Sequence, residues 1–239
     1  MKNMNTMTLL AAGTCAMIAA SAANAAYVPN FGGTYTFPSG TQASSSAAGA
    51  YNGATMIGLT PSSVTNSAAT TWSSSGSNYR ANTWALDTNS PTAGSMSGSI
   101  DTTKYISFTL EASAGYSFDI TSIAFKVGRS ASGPRQWQWR SSADSYAAAL
   151  TGYSGLATGL TNTSGVLTNV DSNSSWAGTL GLSGSSFQGL TSITFRLYGY
   201  NAEGTGGTGG LETSLTFVPA PGALALLGVA GLVGSRRRR

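Results

Sequence analysis

The chain has 239 residues, of which 31 are glycine and only 8% are charged, against about 7% glycine and ~25% charged residues in an ordinary soluble domain. It has no histidine and one cysteine, which excludes histidine-based acid–base and triad catalysis, His or Cys metal sites, and an internal disulfide. The formal charge of +4 belongs to the ends: without Lys2, Arg236, Arg237, Arg238 and Arg239, seven basic residues face eight acids, a body of net charge −1 that lacks the basic excess nucleic-acid binding needs.

Residues 1–25 have the layout of a secretory signal peptide. Lys2 supplies the positive start, residues 7–20 are mostly apolar and uncharged, and Ala23-Asn24-Ala25 fits the small-x-small cleavage rule. Cleavage after Ala25 would leave Ala26 as the new start. The alternative is a buried N-terminal helix. Cys15 would leave with this segment, and it stands too early in the apolar stretch to serve as a lipoprotein cysteine.

Residues 26–103 are rich in Ser, Thr, Gly, Ala and Asn. Their hydrophobic clusters are short: Tyr35-Thr36-Phe37, Met56-Ile57-Gly58-Leu59 and Trp84-Ala85-Leu86. No helical stripe runs through them, and turn dipeptides such as Ser39-Gly40 and Asn52-Gly53 are common. The segment reads as short strands and loops packed on the body that begins at residue 104.

From residue 104 the alternation sharpens. Ile106, Phe108 and Leu110 share one face, with Ser107, Thr109 and Glu111 on the other. The same period of two recurs in Ile123, Phe125, Val127, in Ile193, Phe195, Leu197, and in Leu211, Thr213, Leu215, Phe217. Period two marks a half-buried strand. Gly/Ser/Pro turns separate these runs, so residues 104–217 are expected to form an all-β core, an antiparallel sandwich or jelly roll. A single helical turn is expected over residues 142–150, capped by Ser142 or Asp144.

The body offers few groups for chemistry. Trp137 and Trp139 share one strand face, with Gln136, Gln138 and Arg140 on the other. Two aligned indoles are a candidate glycan-stacking platform; the competing reading has them fill the core. Trp72, Trp84 and Trp176 lie in Ser/Thr-rich stretches and are expected to be partly exposed. Gly204-x-Gly206-x-x-Gly209 matches a dinucleotide fingerprint as a string, but a strand pattern comes after it where a helix is needed, so it reads as a hairpin loop. Asp171-x-Asn173-x-Ser175 imitates half a calcium loop without its central glycine or twelfth-position Glu, and no metal or cofactor is expected. Asp119, Asp144, Glu203 and Glu212 are the acids a carboxylate-pair glycosidase would draw on. Arg129, Arg140 and Arg196 suggest instead Arg–carboxylate structural pairs.

The tail is a second address. Val218-Pro219-Ala220-Pro221 precedes uncharged residues 222–234, which would span about 20 Å as a helix, and then Ser235 and four arginines. Basic residues at the end of an apolar segment hold that end in the cytoplasm. This order of proline motif, short apolar helix and Arg236, Arg237, Arg238 and Arg239 resembles the PEP-CTERM protein-sorting signal over residues 218–239, with Ala220 where the motif is named for Glu. The resemblance implies a bacterial protein exported through the inner membrane and held by a C-terminal transmembrane helix. An exosortase-like enzyme would process it, releasing it to the cell surface or an exopolysaccharide matrix. A plain tail anchor is the alternative. The Gly128-Arg129-Ser130 to Arg140 stretch, with residues 195–203, resembles a β-sandwich body found in such proteins. The expected role is a non-catalytic surface or structural protein. A carbohydrate-binding module for extracellular polysaccharide is the alternative, and a carboxylate-based glycoside hydrolase a further one.

Overall fold

The computed structural model describes residues 26–28, 32–37, 48–74, 78–87, 96–170 and 173–219. The proposed signal segment with Ala23 and Ala25, the calcium-loop Asp171, and Ala220, Pro221, Arg236, Arg237, Arg238 and Arg239 lie outside them.

Short strands alternate with turns throughout. In chain order they are β1 (Ala26–Tyr27), β2 (Gly33–Thr36), β3 (Leu59–Pro61), β4 (Thr65–Asn66), β5 (Thr71–Ser74), β6 (Asn78–Asn82), β7 (Tyr105–Ala112) and β8 (Tyr116–Ser117). Next come β9 (Ile120–Arg129), β10 (Pro134–Ser141), β11 (Tyr153–Ser154), β12 (Leu160–Thr163), β13 (Val166–Asn169), β14 (Ser175–Gly181), β15 (Ser192–Ala202) and β16 (Gly209–Pro219). Fourteen of them build two seven-stranded sheets, and β1 and β8 form a separate parallel pair. The first has the order β12-β13-β10-β15-β7-β3, with β4 also paired to β7. The second has the order β11-β14-β9-β16-β6-β5, with β2 also paired to β16. All pairings within both are antiparallel. The chain passes repeatedly from one sheet to the other, from β2 to β3, β4 to β5, β6 to β7, β9 to β10 and at nearly every later step to β16, so the sandwich is stitched by its own connections.

The alternating runs supply the core. Ile106, Phe108 and Leu110 of β7, Ile123, Phe125 and Val127 of β9, and Ile193, Phe195 and Leu197 of β15 are all buried. Burying a side chain of this size contributes about 1.5–3 kcal/mol. Aromatic contacts knit the layers: Phe108 stacks on Phe195 at 5.4 Å within the first sheet, and Phe125 of the second meets Trp139 of the first at 5.9 Å.

The expected core boundaries shift. Strands β3 and β4 pair with β7, β2 and β6 with β16, and β5 with β6, so residues before 104 complete both sheets. At the other end, Val218 and Pro219 pair with Ser122 and Ile120, so the proline motif begins inside the last strand. Thr213 departs from the inward face. It is exposed with φ 51°, and the β16–β9 register slips between Leu211 and Leu215. Between these pairs β16 carries three residues against one of β9, so two extra residues bulge out before Leu215 and Phe217 sit in the core.

The expected helical turn shrinks to a 3-10 turn, Ser142–Asp144. Ser142 Oγ accepts the Thr194 N–H and Asp144 Oδ2 accepts that of Ala148. Ser145 and Tyr146 then take left-handed φ values of 58° and 62°, which stop the helix before Ala147. The glycine loop after β15 is not a hairpin: it carries the chain from the first sheet to the second. Two buried arginines anchor its start. Arg129 Nη2 lies 2.5 Å and Arg135 Nη2 2.7 Å from the same oxygen, Glu203 Oε1. Arg80 pairs with Glu212 in the same manner.

Candidate functional site

Strand alternation sorts β10 into two rows. Trp137 and Trp139 point inward and both are 0% exposed. Trp137 Nε1 donates to Asn169 Oδ1 at 3.1 Å. Neither indole can stack on a glycan, so the platform reading fails and the core reading holds. Trp84 and Trp176 are also buried, against expectation, while Trp72 is half-buried. The Trp84 ring meets Trp137 at 5.7 Å and its Nε1 donates to Ala81 O, so a local carbonyl satisfies its polar edge. Trp176 stands opposite Val127, in register with a core position.

The outward row is the one with chemistry. Gln136, Gln138 and Arg140 stand opposite Tyr200, Tyr198 and Arg196 of β15, and Tyr105 of β7 stands opposite Tyr198. Residues directly opposite in antiparallel strands share a face, so these seven side chains form one row on the face of the first sheet turned away from the sandwich core; Tyr198, Tyr200 and Gln138 are buried within it, and Gln136, Arg140, Arg196 and Tyr105 are half-buried. Hydrogen bonds fix it. Asn201 Nδ2 donates to Gln136 Oε1 at 2.5 Å, and Gln136 Nε2 donates to Thr168 Oγ1 at 3.1 Å. Gln138 Nε2 donates to the Tyr200 hydroxyl at 3.0 Å, and Gln138 Oε1 accepts both Nε and Nη2 of Arg140. Arg140 Nη1 reaches the carbonyls of Tyr146 and Ala147, at 2.9 and 3.1 Å.

One end of the patch is a groove of about 490 Å³, walled by residues 98–100 on one side and by Gln136, Gln138, Thr163, Thr168 and Tyr200 on the other. Its groups are amides, hydroxyls and a phenol, without a carboxylate. The other end is cationic and aromatic. The Arg196 guanidinium carbon lies 3.7 Å from the Tyr146 ring centroid and 4.1 Å from that of Tyr105. Arg140 lies 5.8 Å over Tyr198. Burial opposes the charge of Arg196, but the Tyr198 hydroxyl and the surrounding Tyr146, Tyr198 and Tyr105 outweigh it and raise its pKa. Burial also raises the Tyr200 phenol, while the Gln138 hydrogen bond and the Arg140 charge pull it down in part. A second depression of about 430 Å³, beside Tyr51, Met56 and Pro61, is lined without any charged side chain.

The acids singled out for catalysis do not gather here. Glu203 and Glu212 are held by arginines, Asp119 accepts the Gly189 N–H at 2.6 Å, and Asp144 closes its own turn. Among the described residues, no three potential ligands could hold a metal ion, and no helix is long and apolar enough to cross a membrane. Of the arginines expected to form carboxylate pairs, Arg129 does so, whereas Arg140 and Arg196 do not. The sequence placed Gln136, Gln138 and Arg140 together on one strand face but passed over Tyr105, Tyr146, Tyr198 and Tyr200. The aromatic spacing within β15 was the available signal for the last two. Tyr105 and Tyr146 reach the patch from separate parts of the chain.

No family model matches the chain, and no curated protein matches it. Among solved structures it is similar to a mutant of a family 29 carbohydrate-binding module complexed with mannohexaose. That match has 14% identity and a TM-score of 0.31, and it covers 80% of this chain and 93% of that one.

Proposed function

We propose that this is an exported, non-catalytic protein of the cell envelope or matrix whose sandwich binds extracellular polysaccharide along the outer face of the first sheet. The observation that carries the binding role is the groove at Gln136 and its continuation along the half-buried Arg140 and Arg196, backed by the buried Gln138, Tyr198 and Tyr200. Amides, hydroxyls and phenols held in place by one another suit a hydroxyl-rich ligand, because pre-ordered polar groups lose little entropy on binding. Export rests on the signal layout of residues 1–25. Retention rests on the likeness of residues 218–239 to a PEP-CTERM tail, which would be processed by an exosortase-like enzyme after a transmembrane stage.

Affinity electrophoresis of the full chain through gels containing soluble polysaccharides tests the binding role. Retardation by at least one polymer is expected, and it should be lost in Gln138→Ala. Migration unaffected by every polymer, neutral or charged, defeats it. Mass spectrometry of the protein recovered from producing cells tests the addresses: a start at Ala26 and loss of the arginine tail are expected. An intact chain in the cytosol defeats that part.

A further inference from the structure

The five arginines among the described residues divide into two groups. Arg80, Arg129 and Arg135 each meet a glutamate. Among the described residues Arg140 and Arg196 meet none, although they stand directly opposite each other across β10 and β15. Like charges in directly opposed sheet positions repel, and the usual remedy is an acid between them. Here the acids near in sequence are engaged elsewhere: Asp144 accepts the Ala148 N–H, and Asp101 pairs with Lys104. The hydrogen bonds of Arg140 go to neutral acceptors, Gln138 Oε1 and two carbonyls. Arg196 has only the Tyr198 hydroxyl, at 3.5 Å, and its buried Nε has no hydrogen-bond partner.

The pair is also held in place at a cost. Tyr146 reaches Arg196 from two successive left-handed residues, Ser145 and Tyr146, a conformation that costs roughly 1–2 kcal/mol for each non-glycine residue. Arg140 bonds the carbonyls of the same turn. Two rings and two carbonyls thus fix the orientation of two guanidinium groups whose charge nothing in the described chain neutralises. Guanidinium is the side chain best shaped to bind carboxylate or sulfate oxygens.

Building on the saccharide-binding reading, we infer that the ligand is an anionic polysaccharide, with an acid group placed between Arg140 and Arg196 and its neutral hydroxyls along Gln138 and Gln136. The row from Gln136 to Arg140 is about 13 Å long at strand rise, enough for a short run of sugar units.

The test is binding of the full chain to matched polymers: polygalacturonate and its carboxyl-reduced form, and dextran sulfate and dextran. Binding to one or both anionic polymers about tenfold tighter than to the neutral partner is expected, and the two pairs tell carboxylate from sulfate. Arg140→Gln and Arg196→Gln should each bring binding of the anionic polymer down to the level of its neutral partner. Lys126→Gln removes the same charge from the other sheet and should change nothing. If Arg196→Gln does not fold, Arg140→Gln carries the test alone. Equal binding to charged and neutral partners overturns this inference and leaves the saccharide role standing, as does a loss of preference in Lys126→Gln equal to that in the arginine variants. Binding to none of the four polymers overturns both.

Discussion

Gly199 of β15 stands directly opposite Trp137 of β10, and a Cβ added there would lie 2.8 Å from Trp137 Cζ3. Gly209 of β16 leaves room for the same indole, since its Cβ would lie 2.7 Å from Cη2. Two strands from opposite sheets thus omit side chains where the largest residue of the core is seated. Gly199→Ala should destabilise the fold by about 1–3 kcal/mol through overpacking, read from the midpoint of urea unfolding. An unchanged midpoint would mean the core has slack that the close contacts deny.

Trp137→Phe addresses the glycan reading that the structure overturned. A smaller ring in a site with 0% exposure should lower stability by roughly 1–3 kcal/mol. Polysaccharide affinity of the folded variant should stay at the parent value. A selective loss of affinity without loss of stability would return the indole to the binding face.

Glu203→Gln leaves Arg129 and Arg135, both essentially unexposed, without the anion they share. Removing one partner from a buried ion pair costs about 3–5 kcal/mol, and the partial exposure of Glu203 places the expected loss near the lower figure. Urea unfolding provides the measure. Because Glu203 opens the crossing loop between β15 and β16, hydrogen exchange in residues 203–208 should rise with it.

Alkaline conditions should unfold the protein through its tyrosines. Burial raises the pKa values of Tyr35, Tyr153 and Tyr200 above the usual phenol value. In Tyr153 the hydrogen bond from the Trp139 N–H opposes burial in part. A group whose folded pKa is raised contributes stability that is complete below the unfolded pKa, near ~10 for tyrosine. That contribution falls away as pH rises through the folded value. Stability should therefore decline from about pH 10 upward, with these phenols ionising only as unfolding proceeds. Ultraviolet titration of tyrosinate beside circular dichroism checks this, and full tyrosine ionisation while the fold persists would refute it.

Gln138→Ala should release both Tyr200 and Arg140, which its amide ties together. Polysaccharide affinity is expected to fall about tenfold, and because Gln138 is buried and its amide satisfies the buried Tyr200 hydroxyl, urea unfolding should also show a loss of about 1–3 kcal/mol. An unaltered affinity would remove the amide row from the binding surface.

The all-β fold was legible because period two is a local property. Ile106, Phe108 and Leu110 alternate with polar neighbours, and nothing distant is needed to see it. The core faces of β7, β9 and β15 come from that pattern alone. Before residue 104 short strands were expected but not their positions or partners, since a strand of two to five residues carries too few side chains to show a period. The bulge at Thr213 was invisible for a related reason: the string Leu211, Thr213, Leu215 keeps perfect spacing while the backbone does not.

Sequence by itself thus determined the strands, the two rows of β10, the lack of histidine chemistry and the near-neutral body. Which row of β10 enters the core, which arginines meet acids, and which tyrosines gather around Arg196 were settled only when the two sheets closed. Those facts depend on contacts between residues such as Tyr105, Tyr146 and Arg196, far apart along the chain. Short-range periodicity records the direction of a side chain relative to its own strand. It holds no record of what the folded chain brings against that side chain.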